Sequence, residues 1–252
     1  MIADYHNNGF LPVRGLVDHV TAGRLRQQLD ELLTVLSPTH PYWQKDIVPL
    51  SVLSPRRNPG IEAASLAAVP FIIGNLPVLL PGIFSAAIGE PVKTLATTLL
   101  GSNNIEFNFA NVTRKPAHIG PNMAWHRDHP NQYICPRNAD DFLRILIALD
   151  PVTPANGALQ VIPGSHRNNE GDCKLMSQTD ELVSLAMEPG DAIALHPSTC
   201  HGGPENRSDV DRNLVIVQIS RAGVEYDYNE AELYTGVNMD AIRHAQTRRP
   251  GV

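Results

Sequence analysis

The chain has 252 residues, 42% of them hydrophobic and 18% charged, with 20 basic against 26 acidic side chains for a formal net charge of −6. This composition suits one globular unit with a large core and excludes a disordered or disulfide-stapled mini-protein. The acidic balance, with no long Lys/Arg cluster, argues against nucleic acid or an anionic membrane as the main partner and favours a small-molecule ligand.

The N-terminal "MIADYHNNGF" has no basic n-region or apolar h-region, so no signal peptide is expected. "GFLPVRGLV" reads as a short strand. Residues 18–36 read as a helix with Asp18 as N-cap and Leu25, Leu29, Leu32, Leu33 and Leu36 on one face. Residues 40–60, rich in proline, read as loop. Residues 61–101 read as helical in pieces, ending in a helix with Pro91 in its first turn and Gly101 at its C-cap. The apolar run "VPFIIGNLPVLLPGIFSAAI" is broken by three prolines and an asparagine, which predicts short packed helices, not a membrane span.

The texture changes after Gly101. "IEFNFANVT" alternates apolar and polar residues. "FLRILIALD", "GALQVIPGSH", "DAIALHP" and "RNLVIVQIS" follow as β-rich runs separated by turns such as "PVTPANG" and "HGGPENRSD". Short strands behind a helical front predict a sandwich or barrel backed by helices. No internal repeat or linker divides the chain. The expectation is one domain over 1–252: a helical support and pocket region over 1–101, a β core with the site over 102–222, and a tail over 223–252. Cys135, Cys173 and Cys200 are odd in number and lack CxxC spacing, which predicts free thiols in a reducing cytoplasm.

The stretch "AWHRDHPNQY" places His126, Asp128 and His129 within a few positions. Alone, each reads as a polar turn residue. At a strand end, however, His126 and Asp128 share a face and supply two ligands of a 2-His-1-carboxylate site, the arrangement that leaves positions open on iron(II). His201, opening a Gly-rich turn after "DAIALHP", is the third candidate. Arg212 follows eleven positions later and heads another strand. An antiparallel return would bring it near His201, where its two-pronged guanidinium could grip the far carboxylate of 2-oxoglutarate. Iron(II), two neutral imidazoles, one carboxylate, dianionic 2-oxoglutarate and Arg212 sum to neutrality, as a buried polar assembly should.

Together these motifs resemble the phytanoyl-CoA dioxygenase family of iron(II)/2-oxoglutarate oxygenases. "WHRDHP" is similar to its W-H-x-D-x-P stretch, and "IALDPVTPANGALQVIPGSHR" to its signature strand–turn–strand. "GFLPVRGLVD" with the Leu-rich helix is similar to its opening. The resemblance, spanning roughly residues 5 to 220, implies a mainly β fold: a double-stranded β-helix, or cupin-like jelly-roll, with flanking helices. It implies iron(II), 2-oxoglutarate and O2 as cofactor and cosubstrates. His126, Asp128 and His201 are then the ligands and Arg212 the 2-oxoglutarate anchor. Asn108, with Asn111 as the alternative, would help hold 2-oxoglutarate. Gly203 and Leu214 stand where the family often has a hydroxyl, which leaves Thr153 or nothing as a second anchor. Because Asp128 fills the position that related halogenases leave open, hydroxylation or another oxidation is expected, with 2-oxoglutarate converted to succinate and carbon dioxide.

Around the cluster, His129 is a candidate to line the substrate pocket, Arg127 and Tyr133 to touch substrate, and Trp125 to pack beside the metal or in the core. Arg144 faces either inward or onto an exposed sheet face. His166 and His196 are expected to be structural, and Cys200 to be packing. Loops 40–60 and 165–185 are expected to set specificity, and the C-terminal "NMDAIRHAQTRRPGV", residues 238–252, to form a helix or tail that closes the pocket or meets a second subunit. Monomer and homodimer stay open. The expected substrate is a secondary metabolite or small acid. A cupin-like metal enzyme that does not use 2-oxoglutarate, or a non-catalytic binding barrel, are the alternatives.

Overall fold

The computed structural model describes residues 2–52, 63–131, 133–168, 171–179, 181–227 and 231–247. The front half runs α1 (Ile2–Asn8), β1 (Phe10–Val13), α2 (His19–Val35), α3 (Trp43–Asp46), β2 (Ile47–Pro49), α4 (Ala63–Leu66), β3 (Pro70–Ile73), α5 (Leu76–Leu79), α6 (Pro81–Ala87) and α7 (Glu90–Leu100). The β-rich part comprises β4 (Ile105–Lys115), β5 (Met123–His126), β6 (Phe142–Ala148), β7 (Leu159–Val161), α8 (Cys173–Thr179), β8 (Val183–Leu185), β9 (Ala192–Leu195), β10 (His201–Gly203) and β11 (Arg212–Arg221). β12 (Val237–Asn238) and α9 (Met239–Thr247) follow.

The strands form two sheets, and their pairings are antiparallel throughout the described residues. The larger runs β1-β9-β6-β11-β4-β3-β2, with β12 also on β4; the smaller runs β5-β10-β7-β8. Alternation along the large sheet divides its side chains between two layers. Ile145, Ile147, Val215 and Val217 point outward and pack on the apolar stripes of α2, α6 and α7. Leu146, Leu195 and Leu214 point inward and meet Val161 and Leu185 of the small sheet. This is the expected jelly-roll with helices on one sheet.

Asp18 caps α2, accepting from the Thr21 N–H at 2.9 Å, and Gly101 takes the left-handed conformation (φ 63) that ends α7. The front is less purely helical than its composition suggests. "PFII" is strand β3, and residues 43–52, expected to be loop, hold α3, β2 and a 3-10 turn, because Trp43, Ile47 and Leu50 are buried and β2 pairs with β3. The rest of the expected loop, from 53 onward, lies outside the described residues. The expected loop 165–185 likewise carries α8 and β8, with residues 169, 170 and 180 outside the described set.

The cysteine expectation fails. Cys173, which opens α8, is disulfide-bonded to Cys200, just before β10, with Cα atoms 5.4 Å apart, and only Cys135 is free. Two distant segments converge there, so spacing along the chain could not reveal the pair. Cys200 is therefore more than packing, and the thiol argument for a reducing compartment falls away. No helix among the described residues is long and apolar enough to cross a membrane.

Candidate metal centre and its cavity

His126 ends β5 and His201 begins β10, and the two are direct register partners in the small sheet. Their rings lie 4.2 Å apart, centroid to centroid. Asp128 sits two residues past the strand end, held there by its N–H donating to Pro197 O at 2.8 Å. His126 Nε2 is 3.6 Å from Asp128 Oδ1, and His201 Nε2 is 3.8 Å from Asp128 Oδ2. These separations are too long for hydrogen bonds and suit three ligands around a shared ion. One donor atom from each residue lies within 4.8 Å of the others.

The ring orientations are fixed from behind. His126 Nδ1 lies 2.7 Å from Ala124 O, and His201 Nδ1 lies 2.9 Å from Thr199 O. A carbonyl only accepts, so each Nδ1 carries the proton and each Nε2 keeps its lone pair for the centre. His201 is pushed down to about 4, first by burial and then by His126, against the pull of Asp128. Burial resists charge on His126 too, but the Asp128 carboxylate outweighs it and raises that histidine. Asp128 is buried, which alone would raise it. Arg144, His201 and His126 overcome burial and hold it well below the carboxylate range.

Beside the three residues opens a cavity of about 870 Å3. Arg212 lines it from the start of β11. It is 4% exposed, forms no ion pair among the described residues, and its Nε is buried without a hydrogen-bond partner. Burial pushes it down to about 10. A guanidinium kept in this state suits a carboxylate arriving from outside, so the donor set and the orphaned cation fit iron(II) and an acidic cosubstrate. β10 and β11 belong to different sheets, so Arg212 arrives through the 204–211 turn that crosses between them and not through a simple hairpin.

Other expected site residues fall elsewhere. The β4–β11 ladder has a bulge: Gln218 pairs Phe109 but Ile219 pairs Phe107, leaving Asn108 over. The bulge reverses the side-chain phase, so Phe109, Asn111, Thr113 and Lys115 line the cavity. Asn108, completely buried, instead donates to Ser220 Oγ and Tyr226 Oη at 2.9 and 2.7 Å. Asn111 is thus the asparagine at the cavity, and Asn108 is not. Nor is Thr153, which is exposed and caps the 154–156 turn in a reciprocal box with Asn156. His129 faces Arg137 O and the Phe142 ring. Arg127 clamps the carbonyls of Ser198, Gly171 and Asn168. Trp125 packs with Ile162 against the disulfide. Of the four substrate candidates only Tyr133 lines the cavity, its hydroxyl donating to Glu232 Oε1 at 2.5 Å.

Three further residues line the cavity, and of these the sequence singled out only Arg144, with its direction left open. Arg144 points inward: its Nη1 bonds Asp128 Oδ1, its Nε donates to Gln218 Oε1 at 3.1 Å, and it lies over the Phe109 ring at 5.3 Å. Lys115 and Glu232 are the others. Glu232 is raised, chiefly by burial. Residues 231–233 reach the cavity, but they precede the expected closing segment, whose helix α9 docks on α7 through the Lys93–Asp240 and Arg243–Glu90 ion pairs.

A jelly-roll carrying two histidines and a carboxylate at one mouth, with a buried arginine in the same cavity, has the architecture of the non-haem iron oxygenases that use a keto acid. Residues 5–214 match the phytanoyl-CoA dioxygenase (PhyH) family, and the chain belongs to it. Human peroxisomal phytanoyl-CoA dioxygenase is 22% identical over 241 residues, covering 88% of this chain and 68% of that protein. The iron/alpha-ketoglutarate-dependent dioxygenase okaE of Penicillium ochrochloron is 37% identical over 93 residues, 35% of this chain and 30% of that one. The chain spans about half the length of the dioxygenases lolE1 of Epichloe uncinata and aneA of Aspergillus aculeatus that it also matches. The crystal structure of EctD from S. alaskensis with 2-oxoglutarate and 5-hydroxyectoine superposes with a TM-score of 0.72 at 17% identity, over 94% of this chain and 82% of that one. At that identity the likeness speaks for the fold.

Proposed function

We propose that this protein is an iron(II)/2-oxoglutarate-dependent dioxygenase that oxidises a small molecule, a secondary metabolite or small acid. The observation that carries the reading is the convergence of His126 Nε2, Asp128 and His201 Nε2 beside the unpartnered Arg212 in one cavity. The names of the fungal relatives support it. His126, Asp128 and His201 would hold the iron, and Arg212 the distal carboxylate of 2-oxoglutarate. Iron(II), when bound there, supplies the chemistry that couples substrate oxidation to conversion of 2-oxoglutarate with O2 into succinate and carbon dioxide.

The chain's own residues supply the rest. Ala124 O and Thr199 O hold the two imidazoles as Nδ1–H tautomers. Arg144 keeps Asp128 ionised and orients it. Phe71, Ile72, Phe109 and Leu146 line an apolar chamber that limits water, and Tyr133 with Glu232 offers a polar edge where a substrate can be oriented. Anaerobic addition of iron(II) and 2-oxoglutarate should produce the weak visible charge-transfer band of the chelate, and His126→Ala should abolish it. A folded protein with no band and no 2-oxoglutarate binding would sink the reading.

A further inference from the structure

Lys115 ends β4 and is the direct register partner of Arg212, so the two long cations stand side by side on one face of the large sheet. Lys115 is only 1% exposed, yet it lines the same cavity. Its path is kept clear by glycines. A Cβ on Gly120 would lie 2.6 Å from Lys115 Cβ, and one on Gly157 would lie 2.8 Å from its Nζ. Nζ meets only backbone carbonyls: Pro204 O closely, Gly157 O at 3.4 Å and Gly203 O at 3.5 Å. It forms no ion pair among the described residues.

Two adjacent buried cations without a carboxylate repel each other and lose hydration. An amine on Nζ would avoid that conflict, and an arriving carboxylate would remove it.

On the reading that this cavity takes 2-oxoglutarate, we propose that Lys115 and Arg212 together seat its distal carboxylate, with Lys115 a neutral amine in the empty site that takes up a proton as the ligand docks. The proton comes from solvent and stays on Nζ; no other bond forms or breaks. The groups acting on Nζ are few. Arg212 on β11 disfavours the ammonium, and Glu205 in the turn after β10 favours it weakly, being engaged with Arg207. Arg114, next to Lys115 on β4, turns to the opposite face and pairs with Asp211. Burial and Arg212 together bring Lys115 down to about 6, consistent with an amine at neutral pH. Lys115 is thereby a cosubstrate-binding residue that links cosubstrate affinity to pH.

The test is calorimetric titration of 2-oxoglutarate into the manganese(II)-loaded protein without oxygen, in two buffers of different ionisation heat at pH 7.5. The proposal expects uptake approaching one proton per ligand, and a Kd that rises towards tenfold between pH 7 and pH 8. Lys115→Arg, permanently charged, should bind with no proton uptake and a flat pH profile. Lys115→Met should bind more weakly, also without uptake. Binding to the unmodified protein with no proton uptake, or with uptake unchanged in Lys115→Arg, overturns this inference while leaving the proposed function intact. Absence of any 2-oxoglutarate binding overturns both. The measurement on the unmodified chain decides the matter even if a variant fails to fold.

Discussion

Replacing Arg212 by methionine should make the ligand-free protein more stable while removing its response to 2-oxoglutarate. The guanidinium is buried, has no ion pair and carries an orphaned Nε. Burial pushes it down to about 10 from an ordinary value above 12. At about 1.4 kcal/mol per pH unit, the fold holds the charged form at a cost of up to ~3 kcal/mol. Asp150 offsets part of this from a distance, although its oxygens are engaged by Arg26 and Asn213. Methionine keeps the length and flexibility of the stem and removes the charge. The expected gain is therefore ~1–3 kcal/mol, or roughly 2–10 °C in the midpoint for a chain of this size. Urea denaturation of metal-free protein, read by circular dichroism, measures the first quantity. Thermal shift with and without 2-oxoglutarate, on protein loaded with manganese(II), measures the second. A loss of more than ~1 kcal/mol in Arg212→Met would refute the reasoning, because it would mean that the guanidinium is satisfied inside the fold.

Metal affinity should weaken as the pH falls. His126 is raised by Asp128, so it must shed a proton to bind metal below its shifted value. Isothermal titration should show Kd rising by about tenfold per pH unit at the acid end. His201, already neutral above about 4, should add nothing until far lower pH. Asn108→Ala should cost ~1–3 kcal/mol in urea denaturation, by orphaning buried partners, yet leave the Kd for 2-oxoglutarate unchanged; Asn111→Ala should weaken that Kd. Cys173→Ser/Cys200→Ser should lower stability by ~2–4 kcal/mol, as expected for a bridge closing a 27-residue separation, and a reductant should do the same only to the unmodified chain.

The metal trio was legible because its chemistry is packed into a short word, "WHRDHP", and because the β-rich runs after Gly101 are long enough to show period two. Arg212 was legible from charge matching, although the route that brings it to the cavity was not. What stayed hidden depends on register. One extra residue at Asn108 reverses the face of β4, so an alternation correct at Phe107 puts Asn111 on the wrong face. Arg144 could be placed only once β6 was known to pair between β9 and β11. Strands β2 and β3 are too short to show a period at all and exist because β4 offers an edge to β3, which in turn pairs with β2. The disulfide, Lys115 and the cavity-lining residues 231–233 are contacts between distant segments that carry no local pattern.

Diffraction from crystals soaked with manganese(II) and 2-oxoglutarate tests the central claim most directly. An anomalous peak bonded to His126 Nε2, Asp128 and His201 Nε2 is expected, with the keto acid reaching from it to Arg212. A metal bound elsewhere, or a keto acid whose far carboxylate turns away from Arg212, would contradict it.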